Sequence, residues 1–470
     1  MKKIIHTIFP YRLYLHIFQL EGYSVMRTFR WIQKNPFVRT TQNKKPLQYT
    51  GRVKAIVVLS VLIACGAFVS IARISLSTGF WLLTLFIIEP SILIFLSDLC
   101  IKPYAWLKKT RALFTTSSKI DSLTHVQVVG IAGSYGKTSV KDILYHLLKE
   151  QYRVLKTPQS YNTIFGIAQV VDLELDNTYD FFLCELGEFK RGDIAEMCRM
   201  VHPTFGIITG INDQHLERFK TIENTVRGIF ELADFLQEKS RATVVNNANT
   251  YIAEEVQKRS NEDFVLYGDT SGELQVGDIH FSKNGTTFSL RQGEKIFSLE
   301  TPLLGYAQVQ NIVGAMTLAL QLGAPIEMLV ERVATLPHVP HRFDQSVLSS
   351  GLVLIDNAYS SNSDSFKESV RLLSEFGKKY TILVTPGMVE LGETNDTVHS
   401  KLGALAGEVC TKVILVGKTA RTKALASTIP EEKIVWMDHI MDLWKTVQTF
   451  GYDPNETVVL IENDLPDNYQ

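Results

Sequence analysis

The sequence predicts an α/β protein in three parts. They are an N-terminal transmembrane helical hairpin, a parallel-sheet domain built on a phosphate-binding loop, and a smaller Rossmann-like domain. Three observations carry this. Two apolar runs, 55–72 and 79–97, lie close together, and the first holds no charged residue. Residues 130–139 read Gly-Ile-Ala-Gly-Ser-Tyr-Gly-Lys-Thr-Ser, after an apolar run (His125 to Val129) and before a stretch with helical periodicity. From about residue 122, β-type runs alternate with helical patterns in two successive blocks.

A chain of 470 residues has room for two or three domains. A net charge of −1 gives no electrostatic basis for a nucleic-acid partner. The cysteines (Cys65, Cys100, Cys184, Cys198, Cys410) are scattered without a CxxC pair. That excludes a disulfide framework or a zinc site and fits a reducing compartment.

Residues 1–50 read as an amphipathic cytoplasmic segment. Pro10 and Arg12 interrupt its first apolar run, and no small-residue cleavage site follows, so it is not a signal peptide. Tyr11 to Ile32 mixes aromatics with Arg12, Arg27 and Arg30, which fits either an interfacial helix or a partner-binding one. Residues 51–120 hold the two spans and a basic linker. Each apolar run is about the minimum length for a span. Glu89-Pro90 interrupts the second, and Arg73 lies in the short link between them. Residues 27–54 carry eight Lys/Arg and residues 102–119 carry five. By the positive-inside rule both flanks are cytoplasmic, giving a multi-pass protein of the cell membrane with its later domains in the cytoplasm. The competing reading is a buried helical hairpin of a soluble protein.

Residues 121–338 form the first α/β block. The strand–turn–helix at 125–148 is an anion site, because backbone N–H groups and the helix dipole point at the same spot. Lys137 can reach β- and γ-phosphates, and the Thr138 hydroxyl can ligate Mg2+. Val140, Ile143, Leu144, Leu147 and Leu148 mark the helix. The loop is shorter than the common GxxxxGK form, since Ile131 stands where that form has Gly. The alternative is a Gly-rich turn without a ligand. Further strands are expected at 181–186, 204–209 and 242–246. Ile279–Ser282, Asn284-Gly285 and Thr287–Leu290 predict a hairpin, extended by Lys295–Leu299. A helix at 308–323 stops at Gly323. The second block, 339–470, begins after Pro337-His338-Val339-Pro340. It has expected strands at 353–356, 380–385, 412–416, 433–436 and 457–461, and a helix marked by Phe366, Val370 and Leu373.

Ligands of doubly wound sheets bind at the carboxyl ends of strands. Glu185 ends the strand Asp180-Phe-Phe-Leu-Cys-Glu185-Leu-Gly187-Glu188, and His215 follows the strand at 204–209. Alone, each residue also fits a structural role, a solvated strand end or a loop histidine.

Together the pieces resemble the ATP-dependent Mur ligase family over about residues 122–462. Gly133-Ser134-Tyr135-Gly136-Lys137-Thr138-Ser139 is similar to that family's phosphate loop, and Glu185-Leu-Gly187 to its metal-binding strand. Asn212 to Phe219, with His215, resembles its His-Leu-Glu segment. Gly305 and Asn311 resemble the start of its adenine helix, and Arg342 the Arg that opens its C-terminal domain. Three stretches are closest to the MurF branch, which adds D-alanyl-D-alanine. They are Tyr161-Asn162-Thr-Ile-Phe-Gly166, Asp356-Asn-Ala-Tyr359-Ser-Ser-Asn362, and Gly387-Met-Val-Glu390-Leu-Gly392.

The resemblance implies ATP and Mg2+ as cofactors and an acyl-phosphate route to an amide. Lys137 would hold the phosphates, with Lys137, Glu185 and His215 as the catalytic set. Thr138 and Glu185 would hold one Mg2+ and His215 a second. Asn311 would face adenine, while Arg342, Asp356 and Tyr359 would complete the ATP site on closure of the C-terminal domain. Asn162, Gly166, Asn362 and Glu390 would contact substrate. The implied partners are a cell-wall precursor or other carboxylate acceptor, and an amino-acid or dipeptide amine. This chain departs from the family at Ile229, where many members carry a carbamylated Lys, and at Ala307-Gln308. It departs also at Asn357, where MurF has a second Asp, and at Glu462 to Asp467, where the family has Lys-Gly-Ser-Arg. The hairpin stands in place of the UDP-binding domain, which implies a membrane-linked or polymeric acceptor. A different Mur-type ligase, such as a poly-γ-glutamate synthetase or a lipid-linked peptidoglycan modifier, is the second reading. A non-catalytic nucleotide-binding membrane scaffold is the third.

Overall fold

The computed structural model describes residues 11–34, 47–158, 161–212, 221–259, 261–268, 272–282, 285–337, 343–358, 363–389, 391 and 394–463. The chain divides into two compact units, residues 1–111 with 465–470, and residues 112–464.

The first unit is helical: α1 (Tyr11–Leu20), α2 (Val25–Lys34), α3 (Gly51–Ala72), α4 (Leu76–Ile88) and the start of α5 (Ser91–Ser122). Thr50 caps α3 by accepting from the Val53 N–H, and Ser75 caps α4 by accepting from Thr78. Two sequence expectations change here. The stretch from Tyr11 to Ile32 is not one interfacial helix. It breaks at Gly22 and Tyr23, both in the left-handed region at φ 61°. Leu13 to Phe18 are all buried, packed with Leu47, Val53, Ile56 and Ile94. In α2, by contrast, Val25, Met26 and Phe29 are exposed. The second apolar run is also not one straight span. Among the described residues a single helix, Gly51–Ala72, is long and apolar enough to cross a membrane, and the pair on either side of Glu89-Pro90 is bent by 87°. Pro90 offers no N–H and disfavours helical geometry at Glu89, which sits at φ −124°, ψ 72°.

Polar groups join the helices of this unit. Arg52 pairs with the buried Asp98 at 2.6 Å and stacks over Tyr23. Tyr11 donates to Ser60, which bonds Ser97 at 2.9 Å.

The second unit opens with β1 (Gln127–Ala132), α6 (Lys137–Leu148), β2 (Val154–Lys156), α7 (Ile164–Glu174), β3 (Phe181–Glu185) and α8 (Asp193–Val201). It continues with β4 (Phe205–Ile208), α9 (Ile222–Ile229), α10 (Glu231–Gln237), β5 (Thr243–Asn246), α11 (Thr250–Lys258) and β6 (Phe264–Tyr267). These strands form one parallel sheet in the order β2-β3-β1-β4-β5-β6. Both faces are covered, so the strands are apolar on both sides. Val129 and Ile131 pack on Val140, Ile143 and Leu144 of α6. Val128 and Ala132 face Ile167 and Val170 of α7 and Met197 of α8.

A three-stranded antiparallel sheet follows, with β7 (Gln275–Ser282), β8 (Gly285–Gln292) and β9 (Lys295–Thr301). Next come α12 (Tyr306–Gln321), which joins the α6 side of the core, and α13 (Ile326–Val333). The last part holds β10 (Asp344–Val347), β11 (Val353–Asn357), α14 (Ser363–Glu375), β12 (Tyr380–Thr385), α15 (Asn395–Val409), β13 (Lys412–Val416), α16 (Ala420–Ala426), β14 (Ile434–Met437), α17 (Leu443–Gln448) and β15 (Thr457–Glu462). Its sheet runs β10-β11-β15-β12-β13-β14, parallel except for β10.

Candidate nucleotide and metal site

β1 sends its connection toward β2, and its neighbour β4 sends its own toward β5. Their carboxyl ends therefore flank the switch point of the sheet, where α/β folds bind ligands. The candidate phosphate loop lies there. Gly133 and Gly136 take φ 142° and 82°, and a Cβ on Gly136 would stand 2.7 Å from Asn311 Oδ1. The loop after β4 pins it. The Ser134 N–H donates to the Gly210 carbonyl at 2.7 Å. Thr209 Oγ1 donates to the Tyr135 carbonyl, and Asn249 Nδ2 donates to the Tyr135 hydroxyl at 3.2 Å. α6 has no side-chain cap at Gly136, so its first N–H groups are left for an anion.

Four charged groups meet at this point. Thr138 Oγ1 donates to Glu185 Oε2 at 3.0 Å. Lys141 Nζ, with no exposed side-chain surface, donates to the same oxygen at 3.0 Å. Asn162 Nδ2 donates to Glu185 Oε1 at 3.1 Å. Lys137 Nζ contacts both oxygens of Glu188, at 3.1 and 3.0 Å. The register Ile131↔Glu185 sets this, because it brings the end of β3 level with the start of the loop. Cys184, next to Glu185, is no nucleophile, since burial pushes its thiol pKa far up.

The Thr138 hydroxyl and Glu185 carboxylate are hard oxygen donors beside a helix N-terminus. They suit Mg2+, which commonly takes one or two carboxylates together with substrate phosphates. Among the described residues no cluster of three His, Cys, Asp or Glu side chains is placed to hold a metal.

The structure brings together Gly133 to Ser139, Asn162, Glu185 and Asn311. Gly166 sits in the first turn of α7, where its N–H bonds the capping hydroxyl of Thr163 at 3.3 Å. Asp356 lies at the end of β11 and accepts from the Ala358 N–H at 3.0 Å. His215, Arg342, Tyr359, Asn362 and Glu390 lie outside the described residues. Ile229 is fully buried in the core, so that position of α9 contributes no ligand.

Sequence reasoning missed Lys141 and gave Glu188 no role. One signal was present. Lys141 lies one turn after Lys137 and interrupts the apolar face between Val140 and Leu144. The departures at 357 and 462 also acquire a reason. Asn357 Nδ2 donates to the buried Glu462 carboxylate at 2.8 Å and to Ser369 Oγ at 3.1 Å. An aspartate at 357 would set two carboxylates against each other. The loop after β12 is held by the Met388 N–H donating to His399 Nε2 at 3.0 Å and by Asn463 Nδ2 donating to the Gly387 carbonyl at 2.7 Å.

Residues 131–319, which hold this loop, Glu185 and Asn311, match the Mur ligase middle domain. Curated relatives include the UDP-N-acetylmuramoyl-tripeptide--D-alanyl-D-alanine ligase of Bacillus subtilis. It is 29% identical over 285 residues, 59% of this chain and 60% of the relative. The Escherichia coli enzyme of that name is 26% identical over 332 residues, 70% of this chain and 73% of the relative. Among solved structures, MurF from Acinetobacter baumannii superposes with a TM-score of 0.68 at 20% identity, over 76% of this chain and 77% of the other. MurF ligase from Thermotoga maritima in complex with ADP superposes with a TM-score of 0.67 at 24% identity, over 76% and 80%. The second unit therefore has the Mur ligase fold, a mixed α/β architecture with parallel sheets.

Proposed function

We propose that this chain is an ATP-dependent amide-bond ligase of MurF type, acting in peptidoglycan or cell-envelope synthesis. The observation that carries this is the set of Thr138, Glu185 and Lys141 at the open N-terminus of α6, inside a Mur ligase middle domain. The similarity to D-alanyl-D-alanine ligases supports the reaction class.

In this reading the backbone N–H groups of 135–138 and the Lys137 ammonium bind the nucleotide phosphates. Thr138 and Glu185 would hold Mg2+, which when bound would supply charge neutralisation to the phosphates. The γ-phosphoryl passes to the substrate carboxylate and ADP leaves. The amine then attacks the acyl carbon, the C–O bond to phosphate breaks, and an amide and inorganic phosphate remain. Lys137 offsets the negative charge of both steps. Asn162 orients Glu185. Arg342, Asp356 and Tyr359 belong to the C-terminal part that closes over the nucleotide, and closure keeps water from the acyl phosphate. His215 would serve a second cation, without help from position 229. Asn362, Glu390 and Gly166 belong to the substrate side.

The acceptor in this reading is membrane-linked. What supports this is that α3 is long and apolar enough to cross a membrane, and that α4 and α5 pass the same test together as a bent pair. The test is phosphate release by the full-length protein in detergent, with D-alanyl-D-alanine and either a UDP-linked or a lipid-linked muramoyl peptide. Release that needs both acceptor and amine, and that is lost in Lys137→Ala, is expected, with the lipid-linked acceptor preferred. Equal turnover of the soluble acceptor would remove the membrane-linked reading. Full cellular function of Lys137→Ala would remove the catalytic one.

A further inference from the structure

Lys137 is the group that a phosphate loop turns on its nucleotide. Here its ammonium already holds an anion. Nζ donates to both oxygens of Glu188, at 3.1 and 3.0 Å, and to the Gly133 carbonyl. The contact is sheltered, with 11% of the Lys137 side chain and 3% of the Glu188 side chain exposed. Glu188 lies three residues past the end of β3. The Gly187 N–H donates to the Asn162 carbonyl at 2.9 Å, and a Cβ on Gly187 would stand 2.6 Å from that oxygen. Glu185 is engaged apart from Lys137, by Thr138, Lys141 and Asn162. The carboxylates at the end of β3 thus divide the lysines of α6, Lys141 with Glu185 and Lys137 with Glu188.

We propose that Glu188 is a specificity-determining residue of the nucleotide site. It stands in for phosphate on Lys137 and makes the site take the nucleotide as its Mg2+ complex in preference to the free anion. This rests on the nucleotide-binding reading above. An arriving phosphate has to displace Glu188 from the ammonium. The displaced carboxylate is then left sheltered beside a polyanion, where like charges repel strongly. A divalent cation arriving with the nucleotide supplies the missing positive charge, and the bare anion does not.

The test compares full-length wild type and Glu188→Gln in detergent, by fluorescence titration with N-methylanthraniloyl-ADP, in EDTA and in Mg2+. Glutamine keeps the shape and removes the charge. Glu188→Gln is expected to bind the metal-free nucleotide about tenfold more tightly than wild type, with the gain falling to roughly threefold or less in Mg2+. Equal or weaker metal-free binding by a variant with unchanged thermal melting overturns the proposal. If the glutamine variant melts early, Glu188→Ala is read in the same way, with the same expected direction and the same overturning result. Failure of the wild type to bind the nucleotide both in EDTA and in Mg2+ would overturn the nucleotide-site reading as well.

Discussion

Lys141→Met tests whether the buried pair at the end of β3 supports the site. Lys141 has no exposed side-chain surface, Glu185 has 2%, and their N–O distance is 3.0 Å. Methionine has similar length and no charge, so the substitution leaves the Glu185 carboxylate sheltered without its cation. Breaking a buried pair from one side costs about 3–5 kcal/mol. Thr138 and Asn162 still donate to Glu185, which places the cost near the lower end, about 3 kcal/mol. For a domain of this size that lowers the melting temperature by roughly 6–12 °C. The double variant Lys141→Met/Glu185→Gln removes the stranded charge and should recover about 2 kcal/mol of the loss. Thermal melts followed by far-ultraviolet circular dichroism on the full-length protein measure both. A single variant that melts within a degree of wild type, or a double variant less stable than the single, would refute the reasoning.

Three further outcomes follow from the geometry. Asn357→Asp should destabilise the protein by about 3 kcal/mol, by facing Glu462 with a second buried carboxylate. Because like charge raises the pKa of such a pair, the deficit should shrink as pH falls toward about 4, and a pH series of melts that shows a constant deficit would contradict this. Gly136→Ala should weaken ADP binding about tenfold or more, because φ is 82° and the new Cβ would crowd Asn311; equilibrium titration measures it. Burial holds the His399 imidazole below its ordinary value of 6.5, with Nδ1 donating to the Asn395 carbonyl. The folded state then resists a proton that the unfolded chain accepts, so His399 contributes stability above about pH 6.5 that is lost as pH falls through and below that value. His399→Leu should remove that part of the pH dependence, seen as a flatter melting profile between about pH 5 and 7.

The legible parts of this protein are those whose signal is contiguous. The strand, Gly-rich loop and helix at 127–148 could be read directly because strand, glycines, lysine and helix follow one another within one stretch. The central strands β1, β3, β4, β5, β12, β13 and β15 appear close to their expected places, since burial on both faces demands an apolar run. The strands that went unread, β2, β6 and β10, all lie at sheet edges. β2 has three residues, β6 is mostly half-buried, and β10 reads Asp-Gln-Ser-Val. An edge strand pairs on one side only and needs less apolar sequence to hold it. Glu89-Pro90 was visible as an interruption, but whether it would bend or end the helix depends on what packs around it.

Residue types alone pointed to an α/β chain with a Gly-rich loop opening a helix and carboxylates at its strand ends. Which lysine meets which carboxylate was left to the tertiary structure. Lys141 and Glu185 are 44 positions apart, and Lys137 and Glu188 are 51 apart. No periodicity links such pairs. They meet because the connection from β1 through α6 and β2 returns β3 to the side of β1, in the register that sets Ile131 against Glu185. Asn357 and Glu462 are 105 positions apart and meet through the pairing of β11 with β15. A buried charge must find its partner in space, and the chain records each partner without recording the pairing.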